Sequence, residues 1–94
     1  VERVSAAEAT LEIKNRLGLH LRAASTLAQA VKRFNSTVTI SNGSQEVNAG
    51  SVTSLMMLGA GKGTKLKVKA EGPDAQKALA AVRELFDDRF GEDS

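Results

Sequence analysis

The sequence predicts an α+β domain, a four-stranded, mostly antiparallel sheet with its helices on one side. Two observations carry this. In several short segments apolar residues alternate with polar ones, as strands with one buried face require. In others they recur at three- and four-residue intervals, as helices with one buried stripe require. The segments follow one another as β-α-β-β-α-β-α. The 94 residues are 41% hydrophobic with three phenylalanines as the only aromatics. That fits a single domain over residues 1–94, with a small core of Ala, Val, Leu and Ile.

Residues 1–6 carry no pattern and are expected to be loose. From Ala7 to Lys14, Ala7, Ala9, Leu11 and Ile13 point one way and Glu8, Thr10, Glu12 and Lys14 the other, a strand with one buried face. Asn15 to Leu19 is a loop in which Gly18 is free to take a backbone angle other residues avoid. After His20 the period changes: Ala24, Leu27, Ala28, Val31 and Phe34 form a helical stripe. Lys32 and Arg33 fall in its last turn, favourable against the negative helix end, and Asn35 suits a left-handed cap.

Ser36 to Ser41 is a strand with Val38 and Ile40 inward, and Asn42-Gly43 predicts a type I′ hairpin. The return strand, Ser44 to Ala49, is poor in apolar residues, as an edge allows. Ser51 is a good cap for a short helix over the apolar run Val52 to Leu58. Gly59 to Gly63 is a flexible loop. Thr64 to Ala70 is a strand with Leu66, Val68 and Ala70 inward and Lys65, Lys67 and Lys69 outward. If it pairs with the first strand, Glu8 and Glu12 lie near those lysines. Gly72-Pro73-Asp74 opens the last helix, with Pro in its first position and Asp in its first turn. Its stripe is Ala75, Ala78, Leu79, Val82, Leu85 and Phe86, with Phe90 one turn on and Gly91 ending it.

Composition excludes several chemistries. With no cysteine there is no disulfide, thiolate or Cys-based metal site. No apolar run reaches membrane-spanning length and no signal-like segment opens the chain, so no membrane insertion and a cytoplasmic location are expected. A net charge of +2 is too mild to imply nucleic acid. An RNA-binding sheet needs stacking aromatics, and no Tyr, Trp or strand Phe is present. The glycine-rich loop before Lys62 fails as a nucleotide site: Met56 stands where a Walker motif needs Gly, and Gly63 follows the lysine. Thr64 stands where a dinucleotide motif needs its third Gly. No cofactor and no metal are expected. The acidic C-terminal end (Asp87, Asp88, Glu92, Asp93) reads as solvated surface.

His20, the only histidine, falls where the strand pattern gives way to the helix pattern. Free backbone N–H groups at a helix start can hold an anion. They also disfavour the imidazolium, keeping a neutral, nucleophilic nitrogen at pH 7. Arg22, two residues on, can neutralise a bound phosphate. An exposed histidine and an ordinary helix arginine are the plain alternatives, but together the two side chains favour a reversible phosphoryl site. Ser51 is a helix cap that could also carry a regulatory phosphate. Leu55 and Leu58 are expected in the core, leaving Val52 and Met56, with Leu21, as an apolar patch beside His20.

Three stretches carry a family resemblance: Gly18-Leu19-His20-Leu21-Arg22-Ala23-Ala24, Val47-Asn48-Ala49-Gly50-Ser51, and Leu55-Met56-Met57-Leu58-Gly59-Ala60. They resemble HPr, the histidine-containing phosphocarrier family of the phosphoenolpyruvate:sugar phosphotransferase system, over about Ala7 to Glu92. The resemblance implies an open-faced β-sandwich with three helices on one face. It implies a monomeric relay protein without turnover of its own. His20 would be phosphorylated at Nδ1 by enzyme I and pass the group to an EIIA-type acceptor, with Arg22 as the active-site arginine. It further implies Ser51 as a regulatory phosphorylation site, with an HPr kinase/phosphorylase and a transcriptional regulator as further partners. Leu21, Ser25, Lys32, Val52 and Met56 would lie on the partner-docking surface. A nitrogen-type phosphorelay without direct sugar transport is the alternative. The family usually has Ala at Leu21, Pro at Ala23, and Lys or a larger residue at Gly50. The lost proline removes a helix-start preset but adds a backbone N–H.

Overall fold

The computed structural model describes residues 5–94. The elements run β1 (Ala6–Glu12), α1 (Leu21–Val31), β2 (Thr37–Ser41), β3 (Glu46–Asn48), α2 (Val52–Met57), β4 (Lys65–Glu71) and α3 (Ala75–Asp87), then a short left-handed turn, Arg89–Gly91. This is the order the sequence periods predict. The sheet runs β1-β4-β2-β3, and every pairing is antiparallel.

Alternation fixes which face each strand buries. Ala7, Leu11, Val38, Ile40, Leu66, Val68 and Ala70 turn into the core under the helices. On the other face, Glu8 lies opposite Lys69 and Glu12 opposite Lys65, as expected. The nearest cross-strand ion pair is diagonal, Glu8 to Lys67 at 3.4 Å. It is exposed and contributes about 0–1 kcal/mol, so it marks register more than it stabilises.

The helices answer with stripes rich in small residues: Ala23, Ala24, Leu27, Ala28 and Val31 on α1, and Ala75, Ala78, Leu79, Val82 and Phe86 on α3. Alanines let the helices approach the sheet closely, and the larger side chains fill the remaining space. Burying each Leu, Val or Ile of this core contributes roughly 1.5–3 kcal/mol.

Local chemistry departs from the sequence expectations at several junctions. The expectation of a loose 1–6 segment falls partly outside the described residues, but Ala6 is already in β1 and the Ser5 carbonyl accepts from Gly72 N–H at 2.9 Å. β1 ends at Glu12, although Ile13 is fully buried and stays tied to the facing loop through Thr64 and Gly63. α1 stops at Val31, so Lys32 is its C-cap and Arg33 and Phe34 lie beyond it. Asn35 is not left-handed; its N–H is used by Asp74 instead. Asp74 is the N-cap residue of α3, yet its carboxylate reaches Ser36 and Asn35 rather than its own helix.

The hairpin between β2 and β3 is not type I′, because only Gly43, not Asn42, has positive φ. The Asn42 side chain accepts from the N–H groups of Ser44 and Gln45, and Asn42 N–H bonds the Gln45 carbonyl, giving a wider Asx-stabilised loop. β3 is correspondingly short and forms the sheet edge.

Candidate functional site

Four segments meet around His20. The chain leaves β1, turns at Asn15 to Gly18, and enters α1 at Leu21. Gly18 has φ +70°, and a Cβ there would stand 2.3 Å from the Ala60 carbonyl oxygen. Only glycine lets the two loops approach so closely. The approach is fastened by Leu19 N–H donating to the same carbonyl at 2.9 Å. The loop before His20 is therefore tied to the loop after α2.

His20 is the N-cap residue of α1, with extended backbone (φ −78°, ψ 179°). Its carbonyl accepts the first helical bond, from Ala24 N–H at 2.9 Å. The preceding N–H groups, on Leu21, Arg22 and Ala23, have no acceptor inside the helix. Ala23 contributes one of these because it is not proline. The His20 side chain does not cap the helix. Its Nε2 lies 2.6 Å from Glu92 Oε2, with the two side chains 29% and 12% exposed.

Glu92 is the residue that the sequence reading missed, since it was placed with the solvated acids. The carboxylate is held from two sides: Asn15 Nδ2 donates to its Oε1 at 3.1 Å and also to the Gly18 carbonyl at 2.7 Å. Asn15 is wholly buried, and its Oδ1 has no partner among the described residues. Burial raises the Glu92 carboxyl. The hydrogen bonds from His20 and Asn15, with electrostatic attraction to His20 and Arg22, outweigh it and hold the group below its ordinary value. The helix start is thus not the ring's only electrostatic neighbour.

The other expected residues divide cleanly. Arg22 and Leu21 are exposed in the first turn of α1, Ser25 is half-buried one turn on, and Lys32 is exposed at the far end. The Lys32 stem passes near Gly50, where a Cβ would be 4.0 Å from Cε. Ser51 is the cap of α2, its hydroxyl oxygen accepting from Ser54 N–H at 3.3 Å. Leu55 and Leu58 are buried as expected, Val52 is half-buried, and Met56 is exposed. Met57 and Leu17 are exposed as well. The cavities along α3, lined by residues such as Leu79 and Arg83, do not include His20.

His20 at the helix start, with Arg22 two residues on, lies outside those cavities. A family model described as the PTS HPr component phosphorylation site matches residues 7–88. The phosphocarrier protein HPr of Xylella fastidiosa is 42% identical over 87 residues, covering 93% of this chain and 98% of the relative. The phosphocarrier protein NPr of Escherichia coli is 42% identical over 85 residues, covering 89% and 94%. The crystal structure of HPr-C-His from Thermoanaerobacter tengcongensis matches with a TM-score of 0.89 at 38% identity, over 94% of this chain and 99% of that one. The chain belongs to the HPr family of the phosphotransferase system. Members of this family carry phosphoryl groups and have no independent turnover.

Proposed function

We propose that His20 accepts a phosphoryl group at Nδ1 from phospho-enzyme I, itself charged by phosphoenolpyruvate, and passes it to an EIIA-type acceptor. The observation that supports this best is the placement of the only histidine at the start of α1, beside unpaired amides and Arg22. Those amides and the guanidinium stabilise the charge on the bound phosphoryl oxygens. The phosphoramidate formed is labile, which suits relay rather than lasting modification.

Leu21, Ser25, Lys32, Val52 and Met56 form the docking surface in this reading. The exposure of Leu21 and Met56 supports their part in it, since an apolar patch beside the reactive ring lets a partner exclude water from the transfer. Ser51 is the site of a regulatory phosphate where an HPr kinase/phosphorylase is present, and that phosphoform would meet a transcriptional regulator. A dianion there would place charge next to Val52 and Met56 and repel a partner that buries them. The fold is read as a monomer acting in the cytoplasm. No helix of the described residues is long and apolar enough to cross a membrane.

A second reading, a regulatory nitrogen-type phosphorelay, stands level with the first on sequence identity, which is 42% to the phosphocarrier protein NPr and 42% to HPr. Acceptor competition between sugar-type and nitrogen-type EIIA domains separates the two. For the carrier reading itself, incubation with phosphoenolpyruvate and enzyme I should yield an acid-labile phosphate that His20→Ala abolishes. A stable label that survives the substitution would refute it.

A further inference from the structure

Phosphoryl transfer as proposed uses His20 and Arg22 and leaves Glu92 without a role. The structure nonetheless goes to some length to put it there. Arg89, Phe90 and Gly91 all have left-handed backbones (φ 53°, 55° and 80°), which reverses the chain after α3. Two of these residues carry side chains, so the bend is strained and needs an anchor. Phe90 supplies it, buried with its ring centroid 5.1 Å from that of Phe86.

The bend delivers Glu92 between Asn15 and His20, with Oε1 taken by Asn15 Nδ2 and Oε2 facing Nε2 at 2.6 Å. An ionised carboxylate can only accept, so the hydrogen of this contact must be on Nε2. In a neutral imidazole that leaves the lone pair on Nδ1. The depressed titration of Glu92 agrees with a carboxylate that stays ionised.

We propose that Glu92, clamped by Asn15 and the Phe90 bend, is a positioning residue for phosphoryl transfer, fixing the His20 ring with its hydrogen on Nε2 and its nucleophilic lone pair on Nδ1. The proposal deepens, and rests on, the carrier reading of His20. On loading, the Nδ1 lone pair forms the new N–P bond. The bond from phosphorus to the donor atom breaks, and its electron pair leaves with the donor. The Nε2 proton does not move, the ring becomes a cation, and Glu92 neutralises it. On delivery the acceptor bonds to phosphorus and the N–P electron pair returns to Nδ1. The ring leaves as neutral imidazole with its proton still on Nε2. A ring that keeps this proton is a better leaving group than one that has lost it.

The test uses the full chain, Glu92→Gln and Glu92→Asp, with two readouts. One is the pair of ring ¹⁵N shifts of unphosphorylated His20 at neutral pH. The other is single-turnover phosphorylation by phospho-enzyme I over a range of carrier concentrations. In the unsubstituted protein Nε2 should show a protonated shift and Nδ1 a lone-pair shift. Glu92→Gln, whose amide can donate as well as accept, should mix the two tautomers. It should also slow the maximal transfer rate about tenfold, the low end for a lost charge-assisted hydrogen bond, with the half-saturating concentration unchanged. Glu92→Asp should restore part of both. An unchanged ring pattern and rate in Glu92→Gln would overturn the proposal. So would a rise in half-saturating concentration alone, which would make Glu92 a docking contact. If the unsubstituted protein takes no phosphoryl group, the carrier reading fails by itself, and the ¹⁵N shifts still decide whether Glu92 sets the tautomer.

Discussion

Replacing Gly18 by alanine tests how the loop before His20 is held. Two costs can be separated. Gly18 has φ +70°, and placing an L-residue there costs about 1–2 kcal/mol. The new Cβ would also stand 2.3 Å from the Ala60 carbonyl oxygen and 2.8 Å from the Gly61 Cα. Both are backbone atoms, so relief requires the two loops to part. Overpacking of that kind adds about 1–3 kcal/mol. Gly43 is the control: its φ is +97°, but nothing lies within 4 Å of its Cβ position, so alanine there should cost only the backbone term. Gly18→Ala should therefore destabilise by about 2–5 kcal/mol and Gly43→Ala by about 1–2 kcal/mol. Urea unfolding of the three proteins gives the comparison, and phosphorylation of His20 should slow only in Gly18→Ala. If the two variants lose equal stability, the loops are not in the close contact described here.

Three further outcomes follow from neighbouring features. Asn15→Ala strips the buried Gly18 carbonyl of its donor and frees Glu92. It should cost about 1–3 kcal/mol in urea unfolding, and a change under half a kilocalorie would count against the Asn15 clamp. Ser51→Ala removes the acceptor for Ser54 N–H. It should cost about 1 kcal/mol while leaving His20 labelling intact; lost labelling would mean that the hydroxyl does more than cap α2. Asp74 concerns pH. Hydrogen bonds from the Ser36 hydroxyl and the Asn35 N–H hold its carboxyl below its ordinary 3.8. Its folded pKa is thus lower than its unfolded one, so its contribution is complete above pH 3.8 and is lost as pH falls through the folded value. Asp74→Asn should therefore flatten the acid limb of stability below that pH, and an equally steep acid limb in the variant would refute this account.

Much of the fold was legible in the sequence because it depends on local period. The alternation Ala7-Ala9-Leu11 and the stripe Ala24-Leu27-Ala28-Val31 each specify one buried face, and the economical way to bury all such faces in so short a chain is a sheet covered on one side. His20 and Arg22 were legible for a similar reason. Their places at the start of α1 follow from where one period replaces the other, and Ser51 declares its cap by residue type. Junctions were harder. Asn35 looked like a helix end by composition, but the carboxylate that claims its N–H comes from Asp74, 39 residues away. Asn42-Gly43 looked like a two-residue turn, but the Asn42 side chain found two backbone donors and widened it.

The sequence alone, then, determined the elements, their buried faces and the place of the histidine at the start of α1, since these rest on periodicity and residue chemistry within a few positions of one another. Only the tertiary structure decided what stands on the far side of the ring. Asn15 and Glu92 are 77 residues apart, and no local period relates them. They meet because Phe90 must bury itself against Phe86, and to do so it bends the chain through three left-handed residues. That long-range apolar demand carries a carboxylate, unremarkable in its own segment, to within 2.6 Å of the His20 ring.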